Sequence, residues 1–185
     1  MAGREPSPWP CLPDSGRLFT VGHSNHPLEK FLALVTAHGI LRVIDVRRFP
    51  VSRKWPHFDA AALSRELAAA GIGYAGLPEL GGRRRPRPDS PHTAWRNEAF
   101  RGYADFLDTP EAEAGLERLE GLAREMPSAV LCAEALPWRC HRSLLADALV
   151  ARGWTVRDIL SEREIREHEL PAFARVEGGR IIYDV

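Results

Sequence analysis

Cys132, Glu134, Arg139, Cys140, His141 and Arg142 crowd one short stretch, SAVLCAEALPWRCHRSLLADALVARG, from Ser128 to Gly153. A carboxylate partly withdrawn from water has a raised pKa, which suits Glu134 for general acid or base work; its plainer reading is an ion-pair partner of Arg142 or Arg47. His141, at a helix start, would be pushed toward neutrality and could accept a proton, or simply cap the helix. Cys140 and Cys132 admit three readings. Beside cations a thiol can become a nucleophile, with Cys140 the candidate catalytic thiol and Cys132 closer to substrate. As ligands, Cys132, Cys140 and His141 could hold zinc or iron, but C-x7-C-H lacks a C-x2-C pair, so the spacing alone predicts no metal. As small hydrophobes they need no chemistry. The C-x5-R phosphatase spacing fails, because the sixth residue after Cys132 is Trp138 and Arg139 comes one late.

The elements that hold these groups follow from periodicity. Ala129–Leu131 is a short apolar run suited to a strand covered on both faces, and Leu144, Leu145, Ala148 and Leu149 recur at helical spacing before Gly153. The unit is strand, loop, helix, with the reactive groups in the loop. The same alternation runs through the chain. Strands are predicted at 17–21, 41–46, 72–77 and 156–160. Helices follow Pro27, begin near Asp59, and span about 110–124. A polar run leads through His168 to a hairpin turning at Gly178-Gly179. This pattern predicts a single α/β domain over 17–185: three layers, a mostly parallel open sheet with helices on both faces, Rossmann-like. Residues 1–16 read as a mobile Pro-rich leader that includes Cys11, and 83–93 as an Arg-rich mobile flap.

Ligands of such sheets bind beyond the carboxyl ends of the strands. His23 and Asn25 follow the first strand, Asp45 and Arg47 the second, Glu79, Gly81 and Gly82 the third, and Cys132 and Glu134 the later core strand. All should open on one edge. Asp45 is a second acid–base candidate. Arg47, Arg53 and Arg142 suit anion clamps, or equally ion pairs with Asp45, Glu79 and Glu134. His23, Asn25, Glu79, Gly81, Gly82 and Cys132 complete the expected substrate-binding set, the glycines serving either for close backbone approach or as a loose exit from the strand. Arg83, Arg84 and Arg85 with Trp95 mix cations and an aromatic, a combination that suits a nucleic-acid backbone and a stacked base, or a solvated loop.

The clusters GHSN, DVRRFPVSR, LPELGG and CAEALPWRCHR, in that order, resemble the bacterial and archaeal family catalogued as domain of unknown function 488, over roughly Leu18 to Val185. The resemblance implies a compact α/β domain. It makes His23, Asn25, Asp45, Arg47, Arg53, Glu79, Gly81, Gly82, Cys132, Glu134, Cys140, His141 and Arg142 this chain's copies of the family motifs. It implies no particular reaction, and the leader and the arginines from Arg83 to Arg87 depart from the pattern.

Net charge is zero, yet twelve Lys or Arg face six acids over 42–101, and seven acids face two Arg over 102–125. Three cysteines make no disulfide framework. There is no run long enough to cross a membrane and no secretory signal core at the start, so a cytoplasmic protein is expected. Neither G-x-G-x-x-G nor G-x4-G-K-[ST] occurs, and no cofactor is expected. The partner should be an anionic small molecule or nucleic acid. The first functional reading is an enzyme on a phosphate-bearing nucleotide or nucleic acid, cleaving an N-glycosidic or phosphoester bond by carboxylate and His chemistry. The others are a non-catalytic binding module and a Cys- or metal-dependent enzyme.

Overall fold

A computed structural model describes residues 16–184, so the Pro-rich leader, all but Gly16, lies outside the described residues. In chain order the elements are β1 (Arg17–Gly22), α1 (Leu28–Ala37), β2 (Arg42–Asp45), α2 (Ala60–Ala69), β3 (Gly73–Gly76), α3 (Glu98–Leu107), α4 (Pro110–Glu125), β4 (Ser128–Cys132), α5 (Arg142–Ala151), β5 (Thr155–Ile159), β6 (Ile165–Glu167), β7 (Ala174–Glu177) and β8 (Arg180–Tyr183). Six strands form one sheet in the order β3-β2-β4-β1-β5-β6, parallel throughout except β6, while β7 and β8 pair as a separate antiparallel hairpin. This is the Rossmann-like three-layer architecture expected from the alternation of strands and helices.

Side-chain parity sorts the two faces. Phe19, Val21, Val43, Ala129 and Leu131 point to the layer of α1 and α2, where they meet Phe31, Leu34, Val35, Leu63 and Leu67. Leu18, Ile44, Val130 and Val156 point the other way, against Leu116 and Leu119 of α4 and Leu144, Leu145 and Leu149 of α5. Both faces of the central strands are apolar, so the sheet is buried between helices.

Two elements escaped the sequence reading. α3 carries Phe100, Tyr103 and Phe106 on a helix capped by Asn97, whose Oδ1 accepts from the Ala99 amide at 2.9 Å. β6 is an exposed three-residue edge with no apolar alternation to betray it. The segment 83–93 contains no helix or strand. It is tied down at three points: Arg84 donates to the Glu79 and Gly81 carbonyls, the Arg87 amide donates to Asp105, and His92 is buried against Asp108 and Tyr183.

Connections fix where a ligand can enter. The chain leaves β1 into α1 on one face and leaves the adjacent β4 into α5 on the opposite face. Between β1 and β4 the two exits diverge, and a crevice opens at their carboxyl ends.

Candidate functional site at the β1–β4 crest

The chain crosses this crevice at one narrow place. The His23 amide donates to the Cys132 carbonyl at 3.0 Å and the Ser24 amide to the Ala133 carbonyl at 2.9 Å, carrying the β1–β4 pairing one step past the strands. A Cβ on Gly22 would lie 1.9 Å from the Glu134 carbonyl oxygen, so only glycine lets the loop after β4 fold over the end of β1. Ala133 and Glu134 thus form a crest with an open cleft of about 390 Å³ on either side. His23, Asn25, Arg47, Phe49, Val51 and Lys54 line one; Arg83, Phe100, Cys132, Arg139, Cys140 and His141 line the other. Parity explains the division: Val21 and His23 share the α1–α2 face, and Val130 and Cys132 share the α5 face.

On the first side, Asp45 and Arg47 are spent on each other. Arg47 Nη2 donates to Asp45 Oδ2 at 2.6 Å, Nε donates to both carboxylate oxygens, and its amide donates to Oδ1 at 3.0 Å. Tyr74 adds a fourth donor at 2.8 Å. Arg47 Nη1 then donates to the Phe58 carbonyl at 2.7 Å and faces His23 Nε2 at 3.2 Å. Because His23 Nδ1 sits 2.8 Å from the Ser24 carbonyl, Nδ1 carries the proton and Nε2 accepts from Arg47. Burial, and then the Arg47 charge, lower the His23 pKa to about 4, so the ring is neutral. It stacks on Phe58 at 4.1 Å. Asp45, expected as an acid or base, instead has its oxygens occupied and positions Arg47.

On the second side, His141 Nδ1 lies 3.6 Å from Cys140 Sγ and 3.9 Å from Cys132 Sγ. The Cys132 thiol is held well below its usual pKa by a hydrogen bond from Cys140, helped by His141 and Arg142 and opposed by burial. Cys140 is raised in turn, by its bond to Cys132 and by burial. Tyr103 packs edge-on to the His141 ring at 4.9 Å, and a Cβ on Gly82 would lie 2.8 Å from His141 Nδ1. Gly82 keeps that nitrogen open. The opposite nitrogen, Nε2, is buried without a partner.

Other expected residues land differently. Arg142, anticipated as an anion clamp, is 0% exposed: Nε donates to Thr20 Oγ1 at 3.0 Å, Nη1 to the Glu134 carbonyl at 2.7 Å and Nη2 to the Ala135 carbonyl at 2.9 Å. It holds the loop, and its burial keeps its fork from substrate. Glu134 is exposed rather than partly withdrawn from water as expected, and its carboxylate has no hydrogen bond or ion pair among the described residues. Glu79 turns away to pair with Arg118 on α4. Gly81 lets its turn pack on Arg48, whose Cβ would lie 2.5 Å from a Cβ there. Asn25 is exposed on the first cleft, its Oδ1 accepting from Ser24 Oγ; Arg53 is exposed and lines neither cleft. Of the Arg-rich set, Arg83 reaches the second cleft and Arg85 is exposed. Arg84 lies 3.7 Å over the Phe106 ring with its fork on two carbonyls. Trp95 packs in a cluster with Phe100, Phe173 and Tyr183 rather than facing a base.

The sequence reading missed Tyr74 and Phe58, which hold the Asp45–Arg47–His23 group, and the rim residues Phe49 and Val51. Phe49 and Val51 lie within DVRRFPVSR itself, which was the available signal.

The family model described as Domain of unknown function DUF488 matches residues 27–149, two-thirds of the chain. The protein belongs to the DUF488 family. The DUF488 match takes in Asp45, Arg47, Glu79 to Gly82 and Cys132 to Arg142, and leaves out His23, Asn25 and the terminal hairpin. No curated protein matches the chain, and no solved structure does.

Proposed function

We propose that this DUF488 protein is an enzyme that cleaves a bond in a phosphate-bearing substrate, a nucleotide or nucleic acid, with Glu134 as the acid–base group. The reading rests on one observation: an unpaired carboxylate sits on the lip common to two clefts, each of which also holds at least one cation outside any ion pair. Lys54 in one cleft, and Arg83 and Arg139 in the other, are in no ion pair among the described residues. A substrate lying across the crest would place its anionic group against those cations and its scissile bond, N-glycosidic or phosphoester, beside Glu134. Arg47, His23 and Asp45 keep one wall rigid, and Arg142 keeps the crest in place.

The test is product release from a panel of nucleotides and short oligonucleotides by the full chain. Glu134→Gln should reduce turnover by about a hundredfold or more while changing affinity little. Arg139→Ala should weaken binding. Binding without turnover, unaffected by Glu134→Gln, would make the crest a recognition module instead.

A further inference from the structure

We propose that Cys132, Cys140 and His141 form a zinc site whose fourth position opens on the cleft shared with Glu134. The donor atoms of the three residues lie within 4.8 Å of one another. Zinc bonds of about 2.3 Å to sulfur and about 2.05 Å to nitrogen, at a tetrahedral angle, set sulfur and nitrogen about 3.6 Å apart. The two S–N separations, 3.6 and 3.9 Å, match that edge. Room for the ligating nitrogen is kept by the missing side chain of Gly82, since a Cβ there would press on Nδ1 at 2.8 Å.

The backbone is arranged for the same end. Cys132 closes β4 and Cys140 precedes α5, and the loop between them is fixed by the two carbonyls that Arg142 holds. Two thiolates and an imidazole are soft and borderline donors that favour zinc over the hard cations. Three protein ligands, with the fourth side on a cleft, make the open kind of zinc site, in which a bound water has a pKa near about 7. Glu134, two residues past the first ligand and lining the same cleft, can take that water's proton. This last role deepens the hydrolytic reading and rests on it; the metal site itself does not.

Metal analysis of the full chain purified under reducing conditions tests the site. About one equivalent of zinc is expected, lost in Cys132→Ser, Cys140→Ser and His141→Ala. Circular dichroism and thermal unfolding report whether each variant folds. Gly82→Ala should retain the fold and weaken zinc affinity by about 10–100-fold, the effect of disturbing a ligand's surroundings. Cobalt(II) added to apo-protein should give thiolate charge-transfer bands and tetrahedral d–d bands. The site is overturned if neither zinc nor cobalt binds the folded apo-protein and zinc leaves thiol alkylation rates unchanged, or if Cys132 and Cys140 are isolated as a disulfide without metal. Zinc bound with turnover indifferent to Glu134→Gln would keep the site and remove the hydrolytic reading. Turnover that needs Glu134 in a metal-free protein would do the reverse.

Discussion

Arg142 carries more of the site than its neighbours although it cannot touch a substrate. Its three hydrogen bonds to neutral oxygens fix the loop between Cys132 and Cys140. Arg142→Lys leaves an ammonium that cannot reproduce the planar fork, stranding two partly buried carbonyls at about 1–3 kcal/mol each. Urea unfolding should show a loss of about 3 kcal/mol; a loss under about 1 kcal/mol would mean that the loop is held by something else. Tyr74→Phe is the gentler counterpart. It removes one of four donors to Asp45 and should cost about 1 kcal/mol by the same measurement, with the Arg47 pair intact. That these residue types would gather at a strand edge was legible from sequence. Which way each side chain turned was not, because an arginine on a helix start reads the same whether its fork faces solvent or a loop carbonyl.

At the scale of elements, the β1–β4 junction controls the site, and Gly22 controls the junction. A methyl at Gly22 would sit 1.9 Å from backbone that cannot swing aside as a side-chain tip would. Gly22→Ala should therefore cost more than the usual 1–3 kcal/mol of an overpacked core, and the alkylation rate of Cys132 should change with it. An unchanged rate would show that the loop position is not set there. The strands flanking this junction were legible because buried parallel strands read as short apolar runs between turns. The pairing order was not, since β4 enters between β2 and β1 only after two helices and about fifty intervening residues. β6 stayed hidden for a different reason: Ile165, Arg166 and Glu167 are all exposed and carry no burial pattern.

At the scale of the whole molecule, His23, buried, and His168, half-buried, titrate in opposite senses. Burial alone would lower the pKa of His168, but Asp147 on α5 and Asp158 on β5, hydrogen-bonded at 2.7 and 3.2 Å, raise it to about 9. Asp158 also accepts from Thr20 at 2.5 Å and Asp147 from Tyr183 at 2.7 Å, so this ion pair ties α5 and the sheet to the terminal hairpin. An unfolded histidine titrates near about 6.5. Stability from His168 is thus full below about 6.5 and is lost as pH rises toward 9, by about 3 kcal/mol. His23, lowered to about 4, works the other way: its contribution is full above about 6.5 and is lost as pH falls toward 4. Unfolding free energy from these two groups should peak near pH 6.5, and His168→Gln should flatten the alkaline limb. A profile level from 6.5 to 9 would mean that His168 is not charged in the fold. Among the described residues no helix is long and apolar enough to cross a membrane.

A competing hollow of about 250 Å³ lies beneath the hairpin, lined by Leu107, Glu113, Arg152, Arg180 and Tyr183, so the crest is not the only place an anion could settle. Titration of isotope-labelled full chain with inorganic phosphate, followed by backbone amide shifts, separates the two. The β1–β4 crest predicts saturable shifts at Ser24, Lys54, Arg83, Ala133, Glu134 and Arg139, reduced in Arg139→Ala. Shifts confined to Arg152, Arg180 and their neighbours, or none at all, would contradict it.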